Sequence, residues 1–586
     1  MIKILKRFSL SEWLQVLVSL IFIIAQVWLD LRLPDYMSEI TVLTQTPGSD
    51  ISDIWIAGGK MLICALGSFA CALVVVFIAS RIAASFSRRL RSLLFSKVES
   101  FSMEEINRFS TASLITRSTN DITQIQMLVT MGLQFVIKAP ITAVWAITKI
   151  AGKGFEWSVE TGITVAILIA VITSIMFFVL PKFRMMQTLT DNLNRVTREN
   201  LTGLRVVRAY NAENYQEAKF ETANEELTST QLFTSRGMAI LMPVMTIFMS
   251  GLSLAIYWTG AYLIDAAQVM DKLTLFSNMV VFTQYAIQVI MSFMMLVMLF
   301  FLLPRATVSA KRINEVLETK PTIEDGKKTG GVPGVAGEVQ FENVSFKYPG
   351  SADYVLRDIS FSAKRGETVA FIGSTGSGKS TLINLIPRFY DTTEGNILVD
   401  GVNVRDYTAE ALHNKIGYVP QKAVLFRGTV KDNVAYGDNG QIEPGDEQIK
   451  KAVAIAQGTD FVEQMPETYG SDISQGGTNI SGGQKQRLSI ARAVCRNPEF
   501  YIFDDSFSAL DYKTDRALRS ALKKETSGVT SFIVAQRIGT IMDADRIIVL
   551  DEGKIVGMGS HKELLENCAV YKEIAMSQLS EEELAS

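Results

Sequence analysis

Apolar residues gather into six long stretches along the first half of the chain, at about 13–33, 59–84, 122–150, 158–184, 237–265 and 273–304, divided by polar connections. Crossing a hydrocarbon core of about 30 Å takes roughly 20 helical residues, so each stretch predicts a membrane-spanning helix. The helical pattern does not stop at the membrane. Ile82, Phe86, Leu90, Leu93 and Leu94 keep to one face beyond the second stretch, which carries that helix on into water. Residues 1–12 mix Lys3, Lys6 and Arg7 with Ile2, Ile4, Leu5 and Phe8, a basic amphipathic piece suited to a membrane surface. The stretch behind it is too long for a signal peptide and lacks a small-x-small cleavage site, so it reads as a span.

The pattern changes near residue 318. Helical periodicity runs through Lys311, Arg312 and Val316, closing a transmembrane domain expected over 13–317. Two prolines and five glycines within 320–337 then make 318–337 a linker. From 338 to about 580 short β runs give way to alternating strands and helices, the pattern of an α/β domain with an antiparallel β part, and 581–586 form a tail.

Charge orients the spans. Arg81, Arg88, Arg89, Arg91 and Lys97 follow the second, and Arg184, Arg195, Arg198, Arg205 and Arg208 follow the fourth. The first loop holds Asp35, Glu39, Asp50 and Asp53 without a lysine or arginine. The positive-inside rule therefore puts both ends and the α/β domain in the cytosol, with the protein in the cell membrane. Mean hydropathy of +0.21 over 586 residues agrees with a partly lipid-buried chain. A net charge of −3 gives no push toward nucleic acid. Cys64, Cys71, Cys495 and Cys568 have neither metal-ligand spacing nor the look of a disulfide framework.

Inside the spans, Lys138 is the clearest charge, and an intramembrane lysine is a functional candidate by default. Beside Pro140 a structural duty, snorkelling or satisfying a kinked backbone, is the weightier reading. The sixth span carries Met279, Met291, Met294, Met295 and Met298 with Phe282, Tyr285 and Phe293, adaptable side chains that helix packing or lipid contact explains best. Gln284 and Gln288, one turn apart, are candidates to face a cavity.

The chemistry is concentrated in the second half. Gly373, Ser374, Thr375, Gly376, Ser377, Gly378, Lys379 and Ser380 follow the apolar run 368–372 and lead through Thr381 into an amphipathic one, so the spacing G-x-x-x-x-G-K-S falls where a strand becomes a helix. Small residues let successive backbone N–H groups turn toward a phosphate chain, Lys379 reaches the β- and γ-phosphates, and Ser380 ligates magnesium. ATP and Mg2+ are the expected ligands.

Further motifs follow in order: Gly417-Tyr-Val-Pro-Gln421, Ile480-Ser481-Gly482-Gly483-Gln484, Phe500-Tyr-Ile-Phe-Asp504-Asp505, Ser508-Ala-Leu-Asp511 and Ala535-Gln536-Arg537. The set resembles the ATP-binding cassette of ABC transporters, and with six spans in front the chain resembles a half-transporter of the type IV exporter family. Residues 109–121 and 202–213 look like that family's two coupling segments, and by their residues alone they read equally as solvated charged helices. The resemblance implies that Tyr348 stacks on adenine, that Gln421 senses the γ-phosphate and magnesium, and that Asp504 holds the metal's water shell. It also implies that Ser481, Gly482, Gly483, Gln484 and Asp511 serve an ATP held by the other cassette of a head-to-tail dimer.

Two positions depart from the family. Asp505 stands where the family has its catalytic glutamate, and Gln536 where it has a histidine on the γ-phosphate. Gln475 also replaces a glutamate just before the signature, and Ile480 the usual leucine. A carboxylate shortened by one methylene predicts slow water activation, while the residues that grip ATP are complete. The expectation is a heterodimeric exporter of hydrophobic or amphipathic compounds, in which a different half supplies the competent glutamate and histidine. The rival expectations are a poorly hydrolysing ATP sensor that gates or regulates a partner, and a homodimeric lipid or peptide exporter.

Overall fold

The computed structural model describes residues 2–579 except 47, 152, 441, 442, 526 and 527. The tail expected at 581–586 lies outside the described residues, as do the side chains of Arg184 and Met298. The chain divides into two compact units, Met1–Glu99 with Ala112–Thr319, and Ser100–Thr111 with Lys320–Ser586.

The first unit is helical. Among the described residues, six helices are long and apolar enough to cross a membrane: Leu10–Gln45, Ile51–Glu99, Thr111–Ile150, Phe155–Thr202, Glu213–Ala266 and Asp271–Glu318. The first begins where Ser9 and Glu12 cap each other reciprocally, which satisfies two backbone donors before the chain enters its apolar run. At about 1.5 Å per residue the 49-residue second helix is roughly 70 Å long, more than twice the thickness of a hydrocarbon core. The third helix is interrupted by a π turn at Gly132–Val136, immediately ahead of Pro140. Proline cannot donate to the carbonyl four residues back, and the wide turn ending at Val136 takes up that mismatch.

Ile23, Val27, Leu31, Trp157, Phe282, Tyr285 and Val289 form the core of this unit. Met279 is buried in it, while Gln284 and Met291 are exposed and the half-buried Gln288 keeps an unpartnered Oε1. Lys138 neither snorkels nor mends the kink: its Nζ donates to Asp30 Oδ2 at 3.3 Å, and Ser68 donates to the same carboxylate. Lys149 reaches Asp35 at 2.7 Å, and the Tyr285 hydroxyl stands 2.7 Å from Asp35 and 2.8 Å from the Leu31 carbonyl. Lys138 and Lys149 are thus each paired with an aspartate on another helix. Removing one member strands the other in a poor solvent for charge. Lys138→Met is expected to lower stability by about 1–3 kcal/mol, the two side chains being only partly buried, and Asp30→Asn added to it should recover most of the loss. Thermal unfolding of the detergent-purified variants measures both.

The second unit is built on a six-stranded sheet in the order Lys554–Gly559, Arg546–Asp551, Thr368–Gly373, Thr530–Val534, Phe500–Asp504, Ile416–Val419, parallel except for its first pair. Near-continuous apolar runs such as 368–372 and 500–503 suit strands covered on both faces. A four-stranded antiparallel sheet, Leu356–Ala363, Val339–Phe346, Glu394–Val399 and Val402–Asn403, lies alongside. Their shared core holds Phe341, Phe346, Phe371, Phe500 and Phe532. The short helix Met103–Phe109 belongs to this unit: Ser102 caps it, and Glu105 accepts the backbone N–H of Thr322 at 3.0 Å.

Candidate functional site

The sequence Gly373 to Ser380 leaves the carboxyl end of the central strand Thr368–Gly373. Its tight course needs glycine. At Gly373, φ is +155°, and a Cβ would stand 2.0 Å from the Leu550 carbonyl oxygen; at Gly378, φ is +96°, and a Cβ would press on Leu356 at 2.7 Å. Gly373→Ala is therefore expected to cost about 1–3 kcal/mol through forced backbone displacement, and to weaken binding of a fluorescent ATP analogue in parallel.

Lys379 is buried under this loop, its Nζ donating to the carbonyls of Gly373 (2.8 Å) and Ser374 (2.7 Å) and to Ser377 Oγ (3.3 Å). Burial pulls its ammonium below the usual lysine range, against the pull of Asp505 and Asp504. An anion entering the loop meets a cation already aimed by three oxygens. Ser374, Thr375, Gly376 and Ser377 form the turn, and Ser380 and Thr381 open the helix Lys379–Asn384.

Ser380 Oγ donates to Asp504 Oδ1 at 2.7 Å. Asp504 ends the buried strand Phe500–Asp504, so the sheet itself delivers its carboxylate to the loop. Gln421 turns its amide nitrogen toward Asp505, 3.3 Å away, which leaves its carbonyl oxygen to face elsewhere. A hydroxyl, a carboxylate and an amide oxygen are the hard donors that magnesium accepts alongside phosphate oxygens and water, so the residues fit Mg2+.

Asp505 sits just past the strand with φ of +47°, a left-handed conformation that aspartate tolerates better than most side chains. Its Oδ2 accepts Gln536 Nε2 at 2.9 Å as well as Gln421 Nε2 at 3.3 Å. Burial lifts the carboxyl groups of both Asp504 and Asp505 above the ordinary range. The Ser380 hydroxyl opposes this for Asp504, and the Gln421 amide for Asp505.

Tyr348 stands at the edge of the site with its hydroxyl 2.9 Å from Thr381 Oγ1. Lys379, Ser380, Gln421, Asp504, Asp505 and Gln536 are thus brought together, with Tyr348 joined through Thr381. Ser481 to Gln484 and Asp511 form a separate surface, with no hydrogen bond to the phosphate loop among the described residues. Ser481 caps the helix Gly482–Cys495 in a reciprocal box with Gln484, and Gly483 lies against Ala509 and Leu510. Asp511 accepts the N–H of Thr514 at 2.9 Å, and that bond holds its carboxyl below the usual range. Two residues near Tyr348 had no motif to announce them, Tyr390 and Asn107, whose side chains meet at 3.1 Å.

Residues 10–303 match the ABC transporter transmembrane region and residues 356–508 match the ABC transporter family. An ABC transporter ATP-binding protein of Mycobacterium bovis is 42% identical over 89% of this chain and 87% of its own length. Another of Bacillus subtilis is 35% identical over 96% of both chains. An ATP-dependent lipid A-core flippase of Syntrophus aciditrophicus is 32% identical over 88% of this chain and 83% of its own. In fold, the chain is similar to a solved bacterial Atm1-family ABC exporter with ATP bound, at a TM-score of 0.81, 23% identity and coverage of 97% and 99%.

Proposed function

Since the chain belongs to the ABC transporter family and carries both its membrane region and its ATP-binding domain, we propose that it is one half of an exporter that holds ATP firmly, cleaves it slowly in its own site and pairs with a different half. It is a multi-pass membrane protein, and hydrolysis of ATP drives transport in this family.

The observation that carries the proposal is at Asp505. A base that activates water needs a free, well-placed oxygen. Here the shortened carboxylate has both amides on the same Oδ2, and an amide at position 536 cannot take up a proton as an imidazole would. The grip on nucleotide rests on other atoms. Lys379 and the loop's N–H groups bind the phosphates, and Ser380, Asp504 and Gln421 would hold magnesium, which screens phosphate charge when bound. The turn at Ser481 to Gln484 is complete and serves the partner's ATP. Closure of two cassettes on ATP follows as a population shift, because only the closed pair offers both phosphate-binding surfaces.

The cargo is a hydrophobic or amphipathic compound. Lys138 and Lys149 are neutralised by Asp30 and Asp35, which favours cargo without a strong charge of its own. The basic connections after the second and fourth spans put the nucleotide domain in the cytosol. Purification of the tagged chain from its native membrane tests the pairing. A one-to-one complex with a half that has glutamate after its metal-binding aspartate is expected; a particle holding two copies of this chain and turning over ATP at ordinary speed overturns the reading.

A further inference from the structure

We propose that Tyr390 and Asn107 are positioning residues for the adenine platform, so that the grip on the base, as distinct from the grip on the phosphates, depends on the segment 102–109. The inference rests on the reading of Tyr348 as the ring that stacks on adenine. Stacking uses one face, so the ring's tilt sets its strength. The tilt of Tyr348 is fixed from three sides. Phe346 meets it edge-on with centroids 5.0 Å apart at 81°, Tyr390 meets it edge-on at 5.3 Å and 90°, and Thr381 holds its hydroxyl at 2.9 Å.

Phe346 is a buried strand residue, and Thr381 belongs to the phosphate loop's own helix. Tyr390 is the support that reaches out of the domain's core. Its ring also leans on Phe346, with centroids 5.7 Å apart, and its hydroxyl accepts Asn107 Nδ2 at 3.1 Å. Asn107 comes from Met103–Phe109, 283 positions away in sequence. A cavity of about 280 Å³ lies between Ser102 and Glu104 of that segment and Tyr348 and Tyr390 of the domain. Asn107 is the segment's hydrogen bond to this aromatic pair, while Glu105 anchors the segment to the Thr322 N–H at 3.0 Å, so a displacement of the segment that stretches the Asn107 bond would be felt at Tyr390. Coupling of this kind is reciprocal: whatever moves the segment changes base affinity by the same factor by which bound base resists the movement.

The test uses the full chain in lipid nanodiscs, with a fluorescent trinitrophenyl-ATP probe displaced by ATP or by inorganic tripolyphosphate. Asn107→Ala and Tyr390→Phe, which keeps the ring, are each expected to weaken ATP roughly 3- to 10-fold, the size of one hydrogen bond, and to leave tripolyphosphate unchanged. In a Tyr348→Ala background the same changes should have no further effect on ATP. Equal weakening of both ligands, or unchanged ATP affinity in both variants while Tyr348→Ala weakens it, overturns the proposal. Tyr348→Ala without effect overturns the stacking reading beneath it.

Discussion

Replacing Asp505 by glutamate and Gln536 by histidine together is expected to raise ATP hydrolysis of the purified chain by about 10²-fold or more, with little change in ATP affinity. Either replacement alone should give much less. In Asp505→Glu the added methylene restores reach, but the carboxylate still meets the two amides that now hold Oδ2, and glutamate is less at ease than aspartate at φ of +47°. In Gln536→His an imidazole arrives, yet the base remains short. Non-additivity is the signature of groups that act as one unit. Steady-state phosphate release in all four combinations measures it. A double variant no faster than the original would place the slow step elsewhere and remove the main support for an asymmetric pair.

Lys379→Met is expected to weaken ATP binding about 10²- to 10³-fold, the largest single loss of affinity in the domain. The estimate follows from one or two charge-assisted bonds at about 1.5–3 kcal/mol each. It is sharpened by the structure, because the ammonium also ties together the carbonyls of Gly373 and Ser374 and the hydroxyl of Ser377. Methionine fills the space but withdraws this donor from all three oxygens, of which the Ser374 carbonyl keeps only the Ser377 N–H at 3.2 Å, so the loop should loosen as well as lose its cation. Equilibrium binding of a fluorescent ATP analogue reads the first effect, and hydrogen exchange at residues 373–378 the second.

The parts of the site that could be read from sequence are those set by local backbone chemistry. The loop 373–380 declares itself because only glycine suits Gly373 and Gly378, and a strand and a helix must flank it. The six spans were legible because lipid demands length and apolarity together. What escaped depends on partners far away in the chain. Lys138 looked like a snorkelling residue because Asp30 lies 108 positions earlier, and no period links them. Segment 100–111, read as part of the membrane half, packs with the nucleotide domain through Glu105 and Asn107. At Asp505 and Gln536 the residue types were legible, but not that two amides share a single oxygen.

The reciprocal cap at Ser481 and Gln484 bears on what this turn has left to offer a second subunit in the pairing proposed above. This serine is exposed; its N–H donates to Gln484 Oε1 and its Oγ accepts the Gln484 N–H, so the cap uses the hydroxyl's oxygen and not its proton. Under that head-to-tail pairing, a neighbour's γ-phosphate would accept that proton without breaking the cap, and the cap would hold the hydroxyl in place to give it. Loss of the terminal phosphate would then remove the acceptor and, with it, this bond across the pair. The turn would come away with its own two bonds unbroken, ready to be used again.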